Sequence, residues 1–153
     1  MTQKPYLFNE GSLSFAQESF TDRTVNVLTL GLPETSAMNL TISRDQLQLG
    51  EDLAAYVARQ IAMMEKQIIG YKLKRRWQNI LGSGDLAVKG ESIEATHKTS
   101  NNSLLYQWQS GFAFYDEKNP NRVLVFSVTQ KKPFAPEFED YWQNLLTSFQ
   151  RNT

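Results

Sequence analysis

The stretch 51-EDLAAYVARQIAMMEKQII-69 decides how the rest of the chain is read. At about 100° per residue, Leu53, Val57, Ile61, Met64 and Ile68 fall within one narrow stripe, the spacing of an amphipathic helix. Glu51 and Asp52 open it, where the helix dipole favours negative charge. Gly70 follows the last apolar residue, where a left-handed terminator belongs. Gln60 and Gln67, one heptad apart, lie at the margin of the stripe beside Tyr56 and Met63. Arg59 and Lys66 fall nearly opposite, toward water. Two readings follow: a plain helix covering a sheet, or a helix whose amide edge borders a groove for something apolar that still needs hydrogen bonds.

Outward from the helix the period changes to two. Tyr6 to Asn9 and Ser12 to Phe15 read as short strands around a turn at Glu10-Gly11. In Thr24 to Leu30, Val25 and Val27 point one way, Asn26 and Leu28 the other. Pro33 to Ser36 reads as a turn. Met38, Leu40 and Ile42 share a face of the next strand. Beyond the helix, Tyr71 to Ile80 puts Lys72, Lys74 and Arg76 on one face, with Tyr71, Leu73 and Trp77 on the other. Leu86 to Lys98, Ser103 to Tyr115 and Arg122 to Gln130 follow, joined by short polar turns, as an antiparallel meander. A second helix covers about 136–150, with Phe138, Tyr141, Trp142, Leu145, Leu146 and Phe149 on one face. The expected architecture is one α+β domain over 1–153. It has a twisted, curved antiparallel sheet, two main helices (about 51–69 and 136–150) and a concave apolar face.

Composition narrows the function. The 153 residues carry 16 basic and 16 acidic side chains, so nothing draws the chain broadly to nucleic acid or anionic membrane. With no cysteine and one histidine, a structural zinc site and a thiol nucleophile are excluded. His97 sits in the polar strand segment Ala95-Thr96-His97-Lys98 and reads as an edge or surface residue. Gly82-Ser83-Gly84 lacks the Lys-Ser/Thr ending of a phosphate loop and joins two strands. No nucleophile elbow and no carboxylate pair stands out. Enzyme function has no positive support, and no cofactor or metal is expected. The N-terminus has no signal-peptide pattern and no window reaches a membrane span, which reads as cytoplasmic and soluble, with no stable membrane insertion.

What is left over is an excess of apolar and amide side chains. Leu105, Gln107 and Gln109 share one face of their strand; Leu104, Tyr106 and Trp108 share the other. An aliphatic strand face carrying glutamines suits a surface that receives an apolar helix.

Tyr56-Val57-Ala58-Arg59-Gln60, Glu65-Lys66-Gln67, Gly70-Tyr71-Lys72-Leu73 and Arg76-Trp77 resemble the Eag chaperones, the effector-associated chaperones of type VI secretion within the DcrB-related family. Val25-Asn26-Val27, Ile42-Ser43-Arg44-Asp45 and Val123-Leu124-Val125 extend the likeness over nearly the whole chain. The resemblance implies a cytoplasmic homodimer. It would shield the N-terminal transmembrane helices of a PAAR- or Rhs-type effector and help load that effector onto the VgrG spike. By position it implies a client groove of Val25, Val27, Gln60, Met64, Ile68, Leu105 and Val125, with either Gln107 or Gln109 as the strand glutamine. Two other readings stand beside it: a small apolar-ligand or lipid-binding protein using the same sheet, and an adaptor binding through Lys72, Lys74 and Arg76.

Overall fold

In a computed structural model of the chain, residues 5–15, 22–32, 38–115, 117 and 119–152 are described. The fold is α+β. A hairpin, β1 (Tyr6–Phe8) and β2 (Gly11–Leu13), forms a two-stranded sheet of its own. The main sheet has six strands: β3 (Asn26–Thr29), β4 (Met38–Gln46), β5 (Lys72–Leu81), β6 (Val88–Lys98), β7 (Leu104–Ala113) and β8 (Arg122–Gln130). Their order is β3-β4-β8-β7-β6-β5, antiparallel throughout. The meander expected after the first helix is therefore present, and its last strand closes against β4. The turn expected at Pro33 to Ser36 lies outside the described residues.

Helix α1 (Leu53–Gln67) connects β4 to β5, and α2 (Phe138–Thr147) follows β8; both are shorter than the sequence periodicity implied. The acidic pair before α1 lies outside its first turn. Asp52 is the N-cap, its carboxylate accepting from the Ala55 N–H at 2.8 Å, which satisfies a donor that the helix cannot. Glu51 accepts from the Gln48 N–H at 3.0 Å and pairs with Arg59 at 2.8 Å. At the other end Gly70 has φ +67, the left-handed conformation that glycine adopts without penalty.

The helices pack on opposite faces of the sheet, because alternate residues of each strand point to opposite sides. On one face Tyr56, Val57 and Ile61 of α1 meet Ile93, Ala95, Val123 and Val125. On the other, Trp142 and Leu146 of α2 meet Leu81, Trp108, Phe112, Leu124 and Val128. A buried polar chain runs through this second core. Asn79 donates to Ser92 Oγ (3.0 Å), Ser92 and Ser110 share a 2.6 Å hydroxyl contact, and the Trp142 indole donates to Ser110 Oγ (2.9 Å). Each polar side chain of this chain thus has a partner, which ties α2 to one docking position on the sheet.

The basic strand face expected from Tyr71 to Ile80 does not form. Leu73 pairs with Ala95 and Arg75 with Glu94, so Lys74 is an extra residue in a β-bulge. One inserted residue reverses the alternation. Leu73 and Trp77 fall on opposite faces, and Arg76 turns to the α1 side, donating to the Ala54 carbonyl at 3.0 Å and to Glu91. The positive charge is thereby divided between two faces.

Candidate functional site

The α1 face is only half covered. α1 packs against β6 and β7, and the register of the remaining strands sets out rows of side chains beside it. One row runs Val27, Thr41, Ser127, Gln109, Ile93 from β3 to β6. The next runs Thr29, Asn39, Thr129, Gln107, Ala95. A third begins with Ser43, Val125, Gly111 and Glu91. Beside the aliphatic side chains of this face, its uncovered part also carries hydroxyls and amides. These groups offer donors and acceptors and no formal charge.

Every residue assigned to the groove belongs to this side of the molecule, but they do three different things. Val25 and Val27 are 52% and 64% exposed and form the free border. Leu105, Gln107 and Gln109 are half-buried on β7. Val125 is 4% exposed and packs with Tyr56, Val57 and Ile61, while Met64 and Ile68 pack against the same cluster. Val125 is therefore core, because β8 is a central strand and α1 is seated on it there. Met64 and Ile68 point down into that seat, as the stripe of α1 requires, and are only partly available.

Gln60 and Gln109 line one cleft between α1 and the sheet, with Val57, Ile93, Val125 and Gly111 as its apolar part and Tyr56 and Glu91 beside them. A Cβ on Gly111 would meet nothing closer than 3.9 Å, so the missing side chain leaves open space at the cleft. Two of the three glutamines are tethered by their NH2 groups. Gln60 donates to Asp45 at 3.4 Å; Gln107 donates to Ser127 Oγ at 3.1 Å and Thr129 Oγ1 at 3.4 Å. Their carbonyl oxygens are left as acceptors. Gln109 has no hydrogen-bond partner among the described residues and keeps both functions.

Asp45 also accepts from the Tyr56 hydroxyl at 2.8 Å. Burial first, and then this bond, push the Tyr56 phenol well above its ordinary range, so it stays a neutral donor. Asp45 and Tyr56 thus fix where Gln60 stands at the lip of the cleft. Tyr71, also buried under this side, is pushed up to about 12 by loss of solvent. Among the described residues no group of acidic, histidine or cysteine side chains could hold a metal ion, and no helix is long and apolar enough to cross a membrane.

Sequence reasoning missed Thr41, Ser43, Ser127 and Thr129, and it gave Asp45 no role. The alternation that put Met38, Leu40 and Ile42 on one face of β4 already put Thr41 and Ser43 on the other. Only the pairing of β4 with β8 brings the four hydroxyls together.

One face of the sheet is packed under α2, and the other is half covered by α1, with neutral polar groups between aliphatic borders. The chain belongs to the DcrB family, whose profile matches residues 10–148. It is similar to the effector EagT6 of Pseudomonas aeruginosa, 28% identical over 149 residues that span 92% of this chain and 91% of that protein. A P. aeruginosa crystal structure, PA94, described as a protein of unknown function and putative regulator, has the same fold. It matches with a TM-score of 0.70 at 24% identity, over 98% of this chain and 97% of that one.

Proposed function

We propose that the half-covered α1 face receives an apolar helix, the N-terminal transmembrane region of a PAAR- or Rhs-type effector of type VI secretion. In this reading the protein is a cytoplasmic chaperone, a homodimer, that shields the client until the effector is loaded onto the VgrG spike. It acts by binding, without catalysis. Membership of the DcrB family and the likeness to EagT6 support an effector-related role. The observation that carries the reading is the row Val27, Thr41, Ser127, Gln109, in which an exposed valine borders uncharged hydrogen-bonding groups.

The chemistry suits such a client. A membrane helix exposes apolar surface all round, and covering it releases roughly 25 cal/mol per Å². Small polar residues in membrane helices ordinarily bond to neighbouring helices, each bond contributing about 1 kcal/mol or less. The Ser, Thr and Gln side chains of this face imitate those neighbours without burying a charge. Co-expression of a tagged effector N-terminus with Gln60→Leu/Gln109→Leu tests the role of the amides. Less client is expected to co-purify while the chaperone stays folded; recovery at the wild-type level would sink the glutamine role.

The apolar-ligand reading has one observation of its own. Leu28, Leu30, Met38, Leu40, Phe138 and Tyr141 line an apolar pocket on the opposite, α2 face. Extraction of the purified protein separates the two, since lipid in place of an effector fragment would favour this second reading.

A further inference from the structure

Of the seven arginines, Arg59, Arg75 and Arg76 have carboxylate partners among the described residues. Of the four others, three line a single cleft: Arg44 of β4, Arg122 of β8 and Arg151 of the segment after α2. Phe114, Leu124 and Phe149 form its apolar wall.

Each arginine is brought there by a separate constraint. Arg44 pairs with Leu124 across the β4–β8 ladder. Its Nη1 is directed to neutral acceptors, the Asn26 side chain and the carbonyls of Thr24 (3.4 Å) and Ile42 (3.2 Å). Its orientation is fixed while its charge is not neutralised. Arg122 opens β8, and its carbonyl accepts from the Phe114 N–H at 2.8 Å. Arg151 lies over the Phe114 ring at 4.1 Å and donates to the Tyr115 carbonyl. Among the described residues, Asp22 is a carboxylate within electrostatic range of Arg44 and Arg122, and one of its oxygens is already engaged by the hydroxyl and N–H of Thr24. The end of α2 adds about half a negative charge at most. Among the described residues, three cations thus stand together beside an aromatic wall.

We propose that the cleft between Arg44, Arg122 and Arg151 binds a phosphate group. A lone carboxylate carries one charge, whereas phosphate carries about 1.5 to 2 and three strong acceptor oxygens, which matches several guanidinium forks converging on one ligand. The cleft lies on the α2 face, away from the trough of hydroxyls and amides. It stands or falls independently of the proposed client groove.

Calorimetric titration of the full chain with pyrophosphate and with adenosine diphosphate, against sodium chloride at matched ionic strength, tests the proposal. Saturable one-site binding is expected for pyrophosphate, weakened at least tenfold in Arg122→Gln/Arg151→Gln. The double variant should keep the wild-type circular dichroism spectrum, since both side chains reach the cleft from its rim. Tighter binding of the nucleotide would assign the aromatic wall to a base or sugar; equal binding would assign the site to the phosphate alone. Absence of saturable uptake, equal affinity in the double variant, or preference for a glutamate-rich peptide over pyrophosphate would overturn it. Should the double variant unfold, Arg122→Gln alone is expected to lose affinity by a smaller factor, and no loss there would count equally against the site.

Discussion

The two faces of the sheet are built from the same strands with opposite priorities. Under α2, Trp108, Phe112, Trp142 and Leu146 are each at most 4% exposed, and even the hydroxyls of Ser92 and Ser110 are consumed in a closed hydrogen-bond chain. Under and beside α1, Thr41, Ser127, Thr129, Gln107 and Gln109 stay half-buried, and Val25 and Val27 are open. Both faces use serine in mid-strand, yet on one it is a structural linker and on the other a surface group. The α1 face has a buried cluster of its own, and beside it the uncovered strands are free to carry polar groups that a sealed core would not tolerate.

The largest effect that separates the faces is Trp142→Ala. The indole is 1% exposed and donates to Ser110, so truncation opens a cavity and removes a partner from a buried hydroxyl. A loss of about 3–5 kcal/mol is expected, read from the midpoint of urea unfolding. A loss below about 1 kcal/mol would count against a tightly packed α2 face. Asp45→Ala comes next. It leaves the buried Tyr56 hydroxyl without its acceptor, at a cost of about 1–3 kcal/mol, and frees Gln60 from its tether. Tyr56→Phe in the same background should recover part of that loss, because it removes the unpaired hydroxyl; no recovery would place the cost elsewhere.

Val27→Asp sharpens the contrast from the open side. At 64% exposure the new carboxylate stays in water, so the unfolding midpoint should move by no more than about 0.5 kcal/mol. Client recovery in co-expression should nevertheless fall, since a charge now borders the trough. A midpoint shift as large as that of Trp142→Ala would erase the distinction between the faces.

Much of this division was legible in the chain. The stripe of α1, with Gln60 at its margin, and the opposed faces of β7 follow from spacing alone, because a period of 3.6 or 2 is a local property. The bulge at Lys74 was not legible. It is an extra residue relative to a partner strand about twenty residues away, and nothing in 71-YKLKRRWQNI-80 marks it. Val125 is placed in the groove by the resemblance alone. Its burial depends on β8 being central and roofed by α1, which is a matter of strand order. The hydroxyl row has the same origin: Thr41 and Ser127 are unremarkable strand residues until β4 and β8 are paired.

The smallest effect belongs to His97, a titratable group of the α1 face, paired across β6–β7 with Leu105. Partial burial holds its imidazole below the ordinary histidine value of 6.5. The unfolded chain therefore takes up a proton at a pH where the folded protein still resists one. Stability should be level above about pH 6.5 and decline gently as pH falls through the folded pKa. The carboxyls of Asp22 and Glu51, both lowered mainly by hydrogen bonds, start from ordinary values of 3.8 and 4.5, so their contribution fades only in more acidic solution. Just below pH 6.5 the slope should thus belong to His97, and His97→Gln should flatten it. Client binding should weaken only at lower pH, once the folded imidazole beside Leu105 is itself charged, because that charge disfavours an apolar helix. If the slope persists in His97→Gln while client binding stays constant with pH, His97 lies outside the working surface and the trough ends at Gln107.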